Sequence, residues 1–329
     1  MWCRWRYNQN MVFRGDHSLE EKSEKKKNQK TVAAIFLVTG ILSLGLWIFQ
    51  NGGINLNTGF SKILSFEVEV PRERDKRDTS HETKNFQKKL TEKVRDLTGN
   101  YSVYVFRPEE GRGYGINENK IMPAMSFMKV PVMIESLLMI DDGKLKLDDK
   151  IEIRSEDKKD TIRSIDKKPV GSEVSVDELL KAAGIESDNT AAAILTRISS
   201  DEAMERLRGE MEMENTNFSE YETTALDTAM MWNFIFKNNF EVIDYLTESI
   251  YEDRIPQGVP SNVTVVHKVG TGDGIWSDGG IVKCPVDSCE LSVEPFILVI
   301  MSENVDMDEA KAAVPEITRM IWEYESKRR

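Results

Sequence analysis

Three short stretches of this chain hold residue types that could act on one another. Ser126-Phe127-Met128-Lys129 puts a hydroxyl and an amine three residues apart, on one face of a helix and one turn from each other. Ser187-Asp188-Asn189 adds a second hydroxyl flanked by polar side chains. Lys268-Val269-Gly270-Thr271-Gly272 sets a cation beside glycines, where the missing Cβ lets another backbone approach closely. A nucleophilic hydroxyl, a base, a proton relay and a fixed cation are enough to open an amide through an acyl-serine.

Ser-x-x-Lys alone is a cheap pattern, with about one or two copies expected by chance in a chain of this length. Further copies start at Ser23, Ser155 and Ser164, all in polar, lysine-rich surroundings that read as solvated surface. Ser126 differs, because it follows Met122-Pro123-Ala124-Met125 and opens the apolar run Val130 to Ile140. A hydroxyl at such a helix start meets free N–H groups and the positive end of the helix dipole. Lys129 stands among Phe127, Met128, Val130 and Val132, where poor solvation lowers a lysine pKa and yields a neutral amine base. The plain alternative is a capping serine followed by a snorkelling lysine, and capping is also the plain reading of Ser187-Asp188-Asn189.

The elements that must hold these residues follow from hydrophobic period. Order begins near Lys84. Phe86, Leu90, Val94 and Leu97 recur at helical spacing up to Gly99. Tyr101 to Phe106 alternates as a strand, and a turn at Glu109–Gly113 leads to a partner ending near Asn117. Val130 to Ile140, Val176 to Ile198 (broken at Gly184) and residues 225–251 read as helices. Val263 to Val269, Gly279 to Lys283 and Pro295 to Met301 read as strands, and Asp308 to Glu325 as an amphipathic helix. The expected fold is therefore α+β, an α/β sandwich. Its antiparallel sheet is built from both chain ends and flanked by helices, with an all-helical subdomain between.

The chain has 329 residues and a net charge of -12, which argues against nucleic-acid binding. Residues 1–30 are the exception, with eight Lys/Arg against four Asp/Glu, a net of +4 that leaves -16 for the remainder. Residues 31–49 carry no charge and match the hydrocarbon thickness of a bilayer, so they are expected to be an uncleaved transmembrane signal anchor. The basic flank places residues 1–30 in the cytoplasm and the rest outside the cell membrane. Residues 50–83 read as a solvated linker and residues 84–329 as the folded domain. Cys284 and Cys289 are close enough in sequence to pair across a turn in an oxidising exterior. No Cys/His spacing points to a metal, and no cofactor is expected.

The ordered set, with Lys268-Val269-Gly270 in third place, resembles the Ser-x-x-Lys, Ser-Asp-Asn and Lys-Thr-Gly triple of class A β-lactamases and penicillin-binding proteins, over about residues 84–329. Arg254-Ile255-Pro256-Gln257-Gly258-Val259-Pro260 and the closing helix add to the likeness. The resemblance implies that Ser126 is acylated, Lys129 takes its proton, and Ser187 relays a proton to the leaving nitrogen. It implies that Asp188 holds the loop, Asn189 binds the substrate amide, and Lys268 with Gly270 and Thr271 meets the substrate on the strand side. The backbone N–H groups of Ser126 and Thr271 would form the oxyanion hole. The implied ligands are β-lactams or cell-wall peptides ending in D-Ala-D-Ala.

Two departures from the pattern matter. Val269 replaces the usual hydroxyl residue and no arginine lies between Lys268 and Lys283, which reduces the carboxylate clamp to Lys268 and the Thr271 hydroxyl. Only 34 residues separate Asn189 from Thr224, too few for the omega loop that carries the deacylating glutamate in class A enzymes. Glu220 and Glu222 are the candidates near that place, and neither has asparagine four residues later. The expectation is a serine hydrolase that loads readily and unloads slowly. A non-catalytic sensor of β-lactams or peptidoglycan is the alternative.

Overall fold

In the computed structural model, the described residues are 77–159, 163–238, 242–284 and 293–328. The first helix, α1 (His81–Arg95), is capped by the Ser80 hydroxyl and leads into the hairpin β1 (Asn100–Arg107) and β2 (Arg112–Ile116). The two-residue β3 (Met122–Pro123) precedes a single 3₁₀ turn, Met125–Met128, and then α2 (Lys129–Asp141). The middle of the chain continues through β4 (Lys150–Glu152), β5 (Glu173–Ser175), α3 (Val176–Ile185), α4 (Asn189–Ile198) and α5 (Asp201–Glu210). After the short β6 (Glu222–Thr223) come α6 (Ala225–Asn238) and α7 (Val242–Thr247). The chain returns to the sheet as β7 (Thr264–Gly272), β8 (Ile275–Lys283) and β9 (Phe296–Glu303), then closes with α8 (Met307–Glu325).

The main sheet is antiparallel with strand order β2-β1-β9-β8-β7, so both chain ends do build it, and β7 is left at an edge. Side-chain alternation divides the core in two. Val103 and Val105 of β1, with Leu298 and Ile300 of β9, pack against Leu90 and Val94 of α1 and Val314, Ile317 and Ile321 of α8. Tyr104 and Phe106, with Ile297 and Val299, face the helical part, where Met133, Leu180, Leu195 and Trp232 meet. Both sheet faces are covered, which is why β1 and β9 are buried almost along their whole length.

The middle of the chain is not purely helical. Two short antiparallel ribbons occur there, β3 with β6 and β4 with β5, each too brief to leave a periodic trace in the sequence. Nor is Gly184 the helix break. It lies inside α3, where a Cβ would come within 2.5 Å of the Tyr245 carbonyl oxygen. The break falls instead at residues 186–188, where Ser187 takes a left-handed φ of 58° and Asp188 caps α4.

A buried ion cluster ties together the two ends of this part of the chain. Arg107 at the end of β1 donates through Nη1 to Asp78 (2.6 Å) and through Nε and Nη2 to Glu325 (2.9 and 2.8 Å). Tyr114 donates to Glu325 (2.8 Å), and Thr83 donates to Asp78 (2.8 Å). Burial alone would raise the Asp78 pKa, but the Ser80 N–H, the Thr83 hydroxyl and Arg107 together hold it far below the usual carboxylate range. Among the described residues no helix is long and apolar enough to cross a membrane, and the anchor expected at 31–49 lies outside them. Cys284 follows β8 and is disulfide-bonded; Cys289, its expected partner, also lies outside the described residues.

Arg107→Met would leave two buried carboxylates without their cation, so it should destabilise the fold by about 3–5 kcal/mol. Urea unfolding of the two proteins reads this as a lower midpoint at unchanged slope.

Candidate active site

The turn that carries Ser126 is held from both sides. Pro123 pairs with Glu222 in the β3–β6 ribbon, and the Ala124 N–H donates to the Tyr221 carbonyl at 2.8 Å. On the other side lies β7. A Cβ on Gly270 would stand 3.2 Å from Met125 Cβ and 3.6 Å from the Ala124 carbonyl oxygen. The close approach that Gly270 permits is thus to the serine turn itself. Met125 (φ 49°), Ser187 (φ 58°) and Tyr221 (φ 55°) are left-handed non-glycine residues around one point. Such conformations cost about 1–3 kcal/mol each and cluster where a side chain must be aimed.

Lys129 is the first residue of α2, and its side chain turns into the protein with 7% exposure. Its Nζ lies 2.7 Å from Ser126 Oγ, 3.1 Å from Ser187 Oγ and 2.6 Å from Asn189 Oδ1. Ser187 Oγ is in turn 3.1 Å from Ser126 Oγ. An ammonium donates to all three oxygens. After losing one proton the amine still donates to Ser187 and Asn189, and its lone pair can accept the Ser126 O–H. Burial is the main cause that brings the Lys129 pKa down to about 8; the Asp188 charge opposes it and Arg163 adds to it.

Asp188 is fully buried and its oxygens are spent on backbone. Oδ1 accepts the Ala191 N–H (2.9 Å), and Oδ2 accepts those of Ile165 (2.9 Å) and Asp166 (3.3 Å). It fixes the Ser187 turn and does not contact the serines directly. On the sheet side Lys268 is fully buried, and among the described residues no group accepts a hydrogen bond from its ammonium. Burial, helped by Lys129 and Arg254, pushes its pKa well below the usual lysine value. Because β7 is an edge strand, one row of its backbone groups has no strand partner, and Thr271 is exposed there.

Sequence reasoning missed Arg254. Its Nη2 donates to Thr271 Oγ1 at 2.5 Å and its Nη1 to the carbonyls of Gly270 (3.1 Å) and Ser277 (2.5 Å). The guanidinium carbon lies 3.7 Å from the Trp276 ring centroid, a cation–π contact. An arginine absent between Lys268 and Lys283 is therefore supplied from before β7, in the one segment whose sequence could have signalled it. The neighbouring Ile255 N–H donates to Asp278 Oδ2 (3.0 Å), and His267 Nδ1 donates to Asp278 Oδ1 (2.9 Å). Burial disfavours the charged imidazole, yet the charge and hydrogen bond of Asp278 outweigh it and raise the His267 pKa to about 9.

Glu220 lies on an exposed turn and Glu222 opens the short strand β6 that follows it. Asn217 and Glu222 exchange backbone hydrogen bonds (2.9 and 3.1 Å), and the Asn217 side chain accepts the Ser219 and Glu220 N–H groups. Both glutamates are exposed, and no hydrogen bond among the described residues joins either carboxylate to Ser126.

An α+β fold whose sheet edge and helical part converge on a serine, a buried lysine and a second serine defines the serine β-lactamase and penicillin-binding class. The family model Beta-lactamase2, described as the beta-lactamase enzyme family, matches residues 85–324, and the chain belongs to that family. Beta-lactamase VEB-1 of Pseudomonas aeruginosa is 24% identical over 277 residues, which is 74% of this chain and 91% of that protein. The beta-lactamase from Sphaerobacter thermophilus superposes with a TM-score of 0.66 at 20% identity, over 74% of this chain and 97% of its own. The structure of PBP-A gives 0.65 at 18% identity, over 73% and 95%. A PBP-A variant solved as an acyl-enzyme complex with penicillin G gives 0.64 at 18%, over 73% and 96%. These structural likenesses speak for the fold.

Labelling of Ser126 by a fluorophosphonate should rise about tenfold per pH unit below the Lys129 pKa and level off above about pH 8, as the neutral amine fills in. A Lys129→Gln variant should be slow at every pH. A flat profile for the unaltered protein would contradict the assignment of Lys129 as the base.

Proposed function

We propose that this protein is a membrane-anchored serine hydrolase of the β-lactamase and penicillin-binding type, which forms an acyl-serine with β-lactams or D-Ala-D-Ala-type peptides. The observation that carries the reading is the single Lys129 amine within hydrogen-bonding distance of Ser126, Ser187 and Asn189. In the reaction Ser126 Oγ bonds to the amide carbonyl carbon while its proton passes to Lys129. The tetrahedral oxyanion is received by the N–H groups of Ser126 and Thr271, and Asn189 holds the acyl-side amide. The C–N bond then breaks as the nitrogen takes a proton through Ser187, leaving the acyl-serine. Lys268, with no acceptor among the described residues, and Arg254 acting with Thr271 Oγ1 are suited to the substrate carboxylate.

The second half of the reaction is slow in this reading. Water must attack the ester, and the exposed placement of Glu220 and Glu222 gives neither carboxylate a contact with Ser126 through which to activate it. The same observation favours a second reading, in which a long-lived acyl form reports ligand across the membrane and turnover is incidental. The uncharged run 31–49 with its basic flank supports the anchor, a cytoplasmic N-terminus and an extracytoplasmic domain.

Incubation of the full chain with benzylpenicillin should add the mass of one intact penicillin, located by peptide mapping at Ser126. Ser126→Ala should abolish the adduct, and the adduct should outlast a chase of hours. Lack of an adduct would refute the acyl-serine; its loss within seconds would refute slow deacylation and the reporter reading together. In a separate fractionation, the full chain should resist carbonate extraction from membranes, and deletion of residues 1–50 should release it. A full chain that comes off with carbonate would argue against the anchor.

A further inference from the structure

Residues 163–166 run as a strap across the Ser187 turn. The Ser164 N–H donates to Glu186 Oε2 at 3.1 Å, and the Ile165 and Asp166 N–H groups donate to Asp188 Oδ2. The strap is therefore fastened to both neighbours of the relay serine. Arg163 opens it. Its Nη2 donates to the Tyr251 hydroxyl, and its guanidinium carbon lies 5.5 Å from the centroid of that ring. The Tyr251 hydroxyl in turn donates a hydrogen bond to the Glu186 carbonyl at 3.2 Å, which closes a loop of contacts around Ser187.

Only one hydrogen bond from Arg163, the one to Tyr251, is found among the described residues, and no carboxylate there pairs with it. The nearby acids among the described residues are engaged elsewhere. Asp166 Oδ1 accepts the Thr190 hydroxyl (2.7 Å), Glu186 takes the Ser164 N–H, and Asp188 holds backbone. An arginine fixed by an aromatic ring, with most of its planar donor fork unspent, is built to take a carboxylate in bidentate fashion. It is half-buried and belongs to the helical side of the site, whereas Lys268, Thr271 and Arg254 belong to the sheet side. Its charge also reaches the centre, since Arg163 contributes to the depressed pKa of both Lys129 and Lys268.

We propose that Arg163 binds a second carboxylate of the substrate, distinct from the one suited to Lys268, Arg254 and Thr271, so that the preferred substrates are dianionic amides. This rests on the acyl-serine reading and narrows it. A substrate with one carboxylate leaves the Arg163 fork facing water; one with two engages both walls and draws its scissile bond between them.

The test compares benzylpenicillin with its α-carboxybenzyl counterpart, which differs by one added carboxylate on the acyl side chain. The readout is the ratio of their second-order rates of Ser126 acylation by the full chain. Any effect of Arg163 on the basicity of Lys129 is common to both compounds and cancels in that ratio. The unaltered protein should favour the dianion by about 10- to 100-fold, the usual worth of a hydrogen bond between charged partners. Arg163→Gln should bring the ratio close to one, and Arg163→Lys should keep part of the preference. Equal rates for the two penicillins in the unaltered protein would overturn the proposal without any variant. So would a ratio that survives Arg163→Gln, or equal slowing of both compounds, which is what a purely structural arginine predicts. Failure of either compound to acylate Ser126 is a different result, and it would remove the acyl-serine reading itself.

Discussion

Taking a lysine head group out of water costs several kcal/mol, and this site is organised around one such group. Lys129 stays buried because three side-chain oxygens meet its three N–H directions, and they come from the serine turn, from Ser187 just before the α4 cap, and from the first residue of α4. Those oxygens solvate the ammonium without neutralising it. Among the described residues Asp188 is the carboxylate that favours the charged form, and it has already given its oxygens to three backbone N–H groups. The balance leaves the amine protonated but poised near neutrality, where it can give up a proton and still hold two of its three partners.

The same balance explains why the surrounding charges are arranged as they are. The chain as a whole carries -12, yet Lys129 bonds the serine, and Lys129, Arg254 and Arg163 each depress the pKa of Lys268. Asp278 is the counter-charge on the sheet side, and it is shared. It bonds His267 on β7, the Gly279 N–H on β8, and the Ile255 N–H beside Arg254. One carboxylate therefore aligns two strands and the loop that delivers the guanidinium to Thr271. A positive pocket in a negative protein draws anions to one place and leaves the rest of the surface unattractive to them.

Much of this was legible in the sequence because the chemistry is local. Ser126 with Lys129 and Ser187 with Asn189 are spaced by a turn of helix or less, and the apolar runs behind them give the elements their period. What escaped was set by distance along the chain. Arg254 acts at Thr271 from 17 residues away across an edge strand, a contact that no window of hydrophobic period contains. Arg163 reaches the Ser187 turn through Tyr251, itself remote in sequence. Gly184 read as a break because glycine usually punctuates helices, whereas here it makes room for the Tyr245 carbonyl of α7. The ribbons β3–β6 and β4–β5 are too short to alternate visibly, though β3–β6 is one of the two supports of the serine turn.

That ribbon also bears on the slow unloading of the serine proposed above. The Tyr221 carbonyl holds the backbone at Ala124, and Pro123 pairs with Glu222, so the segment that follows α5 reaches the serine turn through its main chain. In an antiparallel pair successive side chains point to opposite faces, and Thr223 is the buried member while Glu222 is exposed. Turning Glu222 inward would require a one-residue slip of the pairing. Such a slip would expose Thr223, break its hydrogen bond with Thr216 and displace the Tyr221 carbonyl from Ala124. The register that positions the nucleophile thus keeps that acid in solvent. Holding the serine turn and turning Glu222 inward would draw on the same two residues of ribbon, and the observed register serves the first.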